Sequence, residues 1–156
     1  MKYIKLSVSI TLIALAAMIL VNCKNDDPAP LDEQQQAAKK LSVAWGAAEV
    51  LSSPVAGADG TLENLTLTFA TTESFQPTTF SASGAPDFFL TSANSSWSWE
   101  TSASATHVLL LNVSPVHEFT IEELTETMLT ISFSFDGPIG GRIKGIGEYQ
   151  VRLTRQ

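Results

Sequence analysis

Strict alternation of apolar and polar residues is the feature of this sequence that most restricts its fold. Between residues 129 and 135, leucine, isoleucine or phenylalanine occupies each odd position, and threonine or serine occupies each even one. The same period of two recurs over residues 65–69 and 149–153. Because successive side chains of a β-strand point to opposite faces, each run predicts a strand with one buried and one solvated face. Strands of this kind build antiparallel sheets.

Turn-forming residues separate these runs along the chain. Gly-Ala-Asp-Gly at 57–60, Gly-Ala-Pro-Asp at 84–87 and Asp-Gly-Pro at 136–138 are three such breaks. Between the breaks there is room for about eight short strands. The sequence therefore predicts an all-β domain that is either a barrel or a β-sandwich.

The amino-terminal 22 residues have the layout of a secretory signal peptide. Lys2 and Lys5 precede the uncharged, largely apolar run 6–21, which at sixteen residues is shorter than the roughly 20 that a membrane-spanning helix needs. The end of this run reads Leu20-Val21-Asn22-Cys23 and resembles a lipobox, the motif cleaved by the lipoprotein signal peptidase. The resemblance implies that Cys23 becomes the lipidated first residue, with a diacylglyceryl thioether on its sulfur.

A lipidated Cys23 predicts membrane attachment without a transmembrane helix, because two or more acyl chains anchor a protein stably. Residues 24–27, Lys-Asn-Asp-Asp, resemble the short signal that directs Bacteroidota lipoproteins to the outer face of the outer membrane. An ordinary solvated linker is the alternative interpretation of these four residues. We expect a lipid-anchored outer-membrane protein that is exposed at the cell surface.

The segment after Cys23 is predicted to be a tether with a short helix. Pro28 and Pro30 favour an extended chain, and residues 32–41 contain strong helix formers with acids first and lysines last, which suits the helix dipole. The predicted organisation is thus a signal peptide over 1–22, a tether over 23–40 and one β-domain over 41–156.

The charge of the mature chain argues against nucleic acid as a partner. Removal of Lys2 and Lys5 with the signal peptide leaves seven cations against sixteen acids, a formal charge of −9. Phosphate backbones are bound by basic patches, and this chain is acidic. Cys23 is the single cysteine, so no intrachain disulfide is available and the domain must rely on its apolar core.

Five segments of the chain carry a resemblance to a known family. They are Trp45 in the first predicted strand, the strand at 65–69, Ser-Ser-Trp-Ser-Trp at 95–99, the strand at 129–133 and the ending at 147–153. Together they resemble the lipocalin-like domain lipoproteins of Bacteroidota over most of residues 41–156. The resemblance implies an up-and-down meander of about eight strands in a calycin-type barrel, and most members of that family have no known ligand.

The sequence has no recognisable catalytic or metal-binding pattern. No Gly-x-Ser-x-Gly element occurs, and His107 and His117 lie ten residues apart at the two ends of a predicted strand. If the chain reverses after that strand they could approach each other, with Glu118 as the only obvious third metal ligand. The acidic residues at 122–126 are interpreted as a solvated connection between strands. We expect a non-enzymatic protein with no catalytic residues, metal or cofactor.

Aromatic residues supply the candidate ligand-binding site. Trp97 and Trp99 occupy one face of a predicted strand, and the run 108–111 is apolar on both faces, so that one of its faces could meet a ligand. With Trp45, Leu109 and Leu111 they would bound a barrel interior that holds a small apolar or glycan ligand, with delivery to an outer-membrane transporter as one use. The alternative is a structural or adhesive surface module whose core is filled and which takes no small-molecule ligand.

Overall fold

The computed structural model describes residues 29–54, 62–85, 87–101, 104–136 and 146–156. Within them, one compact unit extends from Leu31 to Gln156. The predicted signal peptide at 1–22 and the predicted lipidation site at Cys23 lie outside the described residues, as does most of the glycine-rich segment 137–147.

Ten strands and one helix make up the described part of this unit. Eight of the strands form a closed antiparallel barrel, and two short ones, β4 and β7, form a separate two-stranded sheet. The elements are α1 Glu33–Leu41, β1 Ala44–Ser52, β2 Thr66–Thr71, β3 Pro77–Ser83, β4 Phe89–Leu90, β5 Ser96–Trp99, β6 His107–Leu111, β7 Ser114–Pro115, β8 Glu118–Leu124, β9 Met128–Phe135 and β10 Gly147–Arg155.

The barrel strands follow one another around the barrel in chain order, and closure comes from pairing of the first strand with the last. Trp45 on β1 lies opposite Arg155 on β10 on one side and opposite Leu67 on β2 on the other. The predicted all-β fold, an up-and-down meander of eight strands, is therefore confirmed, and the β-sandwich alternative is wrong. Closure removes the unpaired edges that a sandwich would leave.

Alternation along the strands sets the inside and the outside of the barrel, as the sequence predicts. On β9, Leu129, Ile131, Phe133 and Phe135 are buried and point inward, and Ser134 on the opposite face is exposed. β10 repeats the pattern, with its three buried inward positions opposite those of β9 in register. An eight-stranded barrel has an interior just wide enough for its own side chains to fill.

The predicted helix is present and closes one end of the barrel. Asp32 caps it by accepting a hydrogen bond from the backbone N–H of Gln35 at 2.7 Å, and the Gln35 side chain accepts one in return from the backbone N–H of Asp32 at 3.0 Å. Ala38 and Leu41, on the inner face of the helix, are fully buried in the barrel core. We call this end, where β1 begins and β10 finishes, the helix end.

Side-chain amides fasten α1 to the loops around it. Gln34 Nε2 donates to the carbonyl oxygens of Thr101 at 2.5 Å and Ser104 at 2.9 Å, both in the connection between β5 and β6. Gln35 Nε2 donates to the Ser74 carbonyl oxygen at 3.2 Å, in the connection between β2 and β3. The helix therefore belongs to the same packed body as the barrel.

The opposite end of the barrel is closed by the connection between β3 and β5. This connection contains β4, and its Phe88 and Phe89 are buried in the barrel core. The backbone N–H of Val116 donates to the Phe88 carbonyl oxygen at 3.2 Å, and Phe89 lies opposite Pro115 of β7. We call this end, which carries β4 and β7, the aromatic end.

Candidate functional site

Of the three tryptophans predicted to line a binding cavity, Trp45 and Trp97 belong to the buried core, and Trp99 packs against that core. Trp45 is fully buried, and its indole N–H donates to the Leu41 carbonyl oxygen at 3.1 Å, which ties β1 to the helix. Trp97 is 3% exposed and donates to the Ala70 carbonyl oxygen at 2.8 Å. Trp99 is partly buried, and its ring packs edge-on against Trp97 at 5.2 Å. Each ring thus makes contacts within the protein.

Aromatic and aliphatic side chains form one buried cluster inside the barrel. Towards the helix end, the Phe69 ring lies 5.1 Å from Phe80, 5.4 Å from Trp97 and 5.9 Å from Phe119. All three distances lie in the range of favourable ring packing. This cluster lies in the buried core of the barrel.

Phe88 is the centre of a second aromatic cluster at the aromatic end. Its ring centroid lies 4.6 Å from Phe135, 5.1 Å from Tyr149 and 5.9 Å from Phe133. Phe133 and Tyr149 are themselves stacked, with centroids 5.5 Å apart and planes 9° from parallel. Burial raises the pKa of Tyr149 above its ordinary value of 10.0, as expected for a phenol among rings.

Two of the predicted ligand-binding residues, Leu109 and Leu111, lie on the outside of the barrel. Leu109 is opposite Ser98 and Leu111 is opposite Ser96, so both share the outer face of β5 and β6. Leu111 is 64% exposed. The prediction that they face the interior with the tryptophans is wrong, because the inward positions of β6 are taken by Val108 and Leu110, which pair with Trp99 and Trp97.

The outer wall of the barrel carries a polar groove of about 470 Å³ across β6, β8, β9 and β10. Its floor includes Phe119 and Phe133, whose rings point into the core. The rest of the lining is mostly polar and faces outward. We call this feature the outer groove; its other lining residues are His107, Pro115, His117, Glu118, Thr120, Glu122, Ser132, Ser134, Asp136 and Glu148.

Sheet register brings these residues together. His107 lies opposite Thr120, and Thr120 lies opposite Ser132, so one row of outward side chains crosses three strands. Glu148 lies opposite Ser134 on the next pair of strands. Groups far apart in the sequence therefore share one surface.

Hydrogen bonds fix several of the outer-groove side chains. The Ser132 hydroxyl donates to Glu122 Oε1 at 2.5 Å, and the Thr120 hydroxyl lies 3.3 Å from His107 Nδ1. His117 Nδ1 lies 3.1 Å from the Pro115 carbonyl oxygen, which orients the exposed imidazole over the rim. These contacts hold polar groups in place on a rigid sheet, and the groove is a preformed surface.

Sequence reasoning found part of this site and missed part of it. The sequence leaves open that His107 and His117 approach each other across a turn. Both line the outer groove with Glu118, but His107 lies opposite Thr120, and the carbonyl oxygen of His117 accepts from the backbone N–H of Leu110, three residues further along β6. Glu122 was expected in a solvated connection, but it lies within β8 because that strand continues to Leu124. The sequence predicts the serines of β9 to lie on the solvent-exposed face of a strand, and it does not indicate that they line a groove.

The described residues contain no group of three or more histidine, cysteine or acidic residues arranged to hold a metal ion. In the same part of the chain, no helix is long and apolar enough to cross a membrane. Comparison with protein-family models, with curated protein sequences and with solved structures found no match. The fold and its packing thus define the chain as a closed eight-stranded antiparallel barrel whose interior holds its own aromatic core.

Proposed function

We propose that this chain is a lipid-anchored outer-membrane protein, exposed at the cell surface, that works without catalysis through contacts on its outer surface. In this proposal the barrel interior is a structural core. The protein is then a structural or adhesive module, which is the second of the two functions that the sequence allows.

The observation that carries the proposal is the filled interior. A carrier of apolar ligands needs a cavity, typically of several hundred Å³, lined by apolar side chains. Inside the described barrel, the space between the two ends is occupied by Phe69, Trp97, Phe88 and Phe133 with the rings packed against them. This packing favours a surface function over an interior carrier function. A protein that carries no ligand needs no transporter to receive one, so the proposal does not include a transporter.

The membrane anchor in the proposal rests on the sequence before the described fold. The apolar run 6–21 ends within the lipobox-like residues 20–23, the last of which is Cys23. A tether of roughly ten residues then leads to α1, and an extended chain of that length reaches about 35 Å. A domain held in this way can meet partners beyond the lipid surface.

Lipidation is tested by metabolic labelling with palmitate in a cell that processes lipoproteins. We expect the wild-type chain to incorporate the label and to fractionate with the outer membrane. Cys23→Ala should abolish incorporation, because the thiol is the acceptor of the diacylglyceryl group. Ser7→Ala, within the apolar run, is the matched control and should keep full labelling. Label retained by Cys23→Ala would refute anchoring at this residue.

The structural role of the interior is tested by titration with a fluorescent fatty acid. We expect no saturable 1:1 binding at probe concentrations up to about 10 µM, since ligand affinity of that order requires a cavity that excludes water from most of the ligand. A variant with Leu90→Ser and Leu111→Ser is the control, because it removes two exposed apolar side chains from the surface. Saturable binding that persists in this variant would place the probe inside the barrel and overturn the proposed function.

A further inference from the structure

The outer groove offers a binding surface, and the inference drawn from it rests on the proposed function that the barrel acts through its exterior. The groove's volume of about 470 Å³ lies within the range of ligand pockets in proteins. Most of its lining residues lie on four neighbouring strands of a closed sheet, and the strand pairing sets the spacing of those residues. Preorganisation of this kind lowers the entropy cost of binding.

Charge selects the chemistry of the partner. Four carboxylates, those of Glu118, Glu122, Asp136 and Glu148, line the outer groove, and no lysine or arginine is among the described residues that line it. The two ion pairs found in the described residues lie elsewhere: Arg152 binds Glu49 at 3.0 Å, and Arg155 lies 4.0 Å from Glu126. The groove therefore presents negative charge that the described part of the chain leaves uncompensated.

Hydroxyl and imidazole groups of the outer groove can form hydrogen bonds with an extended peptide. His107, Thr120, Ser132 and Ser134 stand along the groove at positions that can donate to or accept from peptide groups. Neither phenylalanine of the lining turns a ring face outward, since Phe119 is 1% exposed and Phe133 is 4% exposed. The exposed ring among the described lining residues is the imidazole of His117, whose Nδ1 lies 3.1 Å from the Pro115 carbonyl oxygen. The described lining thus offers no phenyl or indole ring for a sugar to stack on, and its charge and hydrogen-bonding groups favour a basic peptide over a neutral glycan.

We propose that the outer groove binds a segment of a partner protein that is rich in lysine or arginine. The basic side chains of that segment face Glu118 and Glu148 on opposite walls, while its peptide groups meet the hydroxyls between them. Electrostatic attraction of this kind steers association and weakens as salt screens it. Exposed carboxylates give modest energies, so the contact is one of moderate affinity and fast exchange.

The test is binding of fluorescein-labelled hexalysine to the purified full chain, followed by fluorescence anisotropy. We expect saturable 1:1 binding that weakens at least fivefold when NaCl is raised from about 0.05 M to 0.5 M. Labelled hexaglutamate should not bind. A neutral hexasaccharide that competes with hexalysine would show that the groove is a glycan site and would overturn the proposal.

The decisive variant is Glu118→Gln with Glu148→Gln, which removes two charges from the groove and keeps the shape of both side chains. Glu122 is left intact because Ser132 donates to it. We expect hexalysine affinity to fall about fivefold to tenfold, as two lost exposed ion pairs would give. Glu63→Gln with Glu73→Gln is the matched control; both residues are exposed and lie outside the groove, and net charge changes equally.

Hexalysine affinity in the control should stay within about twofold of wild type, since a screened charge outside the groove contributes little. Equal weakening in both double variants would attribute binding to overall acidity and refute the groove. Absence of hexalysine binding would refute it as well. Neither result bears on the interior, because the fatty-acid titration decides the proposed function separately.

Discussion

Replacement of Phe88 by alanine should lower the free energy of unfolding by about 3–5 kcal/mol. The ring is fully buried and contacts three other aromatic rings, the nearest at 4.6 Å. Alanine would leave a cavity at the aromatic end, and the loss combines the transfer energy of the ring with the contacts of its neighbours. Urea unfolding followed by tryptophan fluorescence measures the change.

Leu90→Ala is the matched control for that variant. Leu90 lies two residues further along the same connection, but it is 55% exposed. Its truncation should change the free energy of unfolding by less than about 0.5 kcal/mol. Equal destabilisation of the two variants would mean that any substitution in this connection lowers stability. The packing of Phe88 would then not be the cause.

Replacement of Gly84 by alanine should cost at least about 2 kcal/mol of stability. Gly84 has a φ of +78°, which L-residues rarely adopt, and a Cβ added there would lie 1.8 Å from the backbone oxygen of Asn64. Neither the strain nor the collision can be relieved by a side-chain rotation. The connection that carries Phe88 begins at this residue, so a shift here would also disturb the aromatic end.

Gly46→Ala tests whether the effect belongs to position 84 or to glycine substitution in general. A Cβ at Gly46 would meet the side chain of Gln156 at 3.1 Å, and that side chain is flexible. Its cost should stay below about 1 kcal/mol. Chemical denaturation of both variants gives the comparison; a Gly84→Ala protein with the wild-type midpoint would show that the close approach to Asn64 is wrong.

The sequence predicts the fold of this domain well because most of its strands have one wet face. Where threonine or serine alternates with large apolar residues, as in β2 and β9, the phase of the alternation identifies the inward positions. The helix is likewise predictable, since Asp32 and Gln35 form a capping box that the local sequence contains in full.

The candidate site is less predictable because its decisive facts are non-local. In β6 every residue from Val108 to Leu111 is apolar, so the alternation has no phase, and only pairing with Trp97 and Trp99 identifies Leu109 and Leu111 as outward. Phe88 and Phe89 are adjacent residues in a turn-rich connection, where no periodicity indicates burial. Periodicity in the sequence identifies the strands. Strand register and the insertion of loops into the core decide which side chains contact each other.

The outer groove illustrates the same limit. Its residues extend from His107 to Glu148, and no short motif contains more than a few of them. Only the cross-strand register places Thr120 beside Ser132 and Ser134 beside Glu148. The sequence indicates only that His107 and His117 could share one surface, because the chain can reverse between them.

Barrel closure through β1 and β10 also governs when this domain can fold. Trp45 pairs with Arg155 and Gly46 pairs with Thr154, so residues at the two ends of the domain must meet before the sheet is complete. A chain emerging amino terminus first has β1 available early, but its partner strand arrives last. Until then the edges of β1 and β9 are open to other strands. Folding must wait for the final residues, and loss of β10 would leave an aggregation-prone open sheet in place of a shortened barrel.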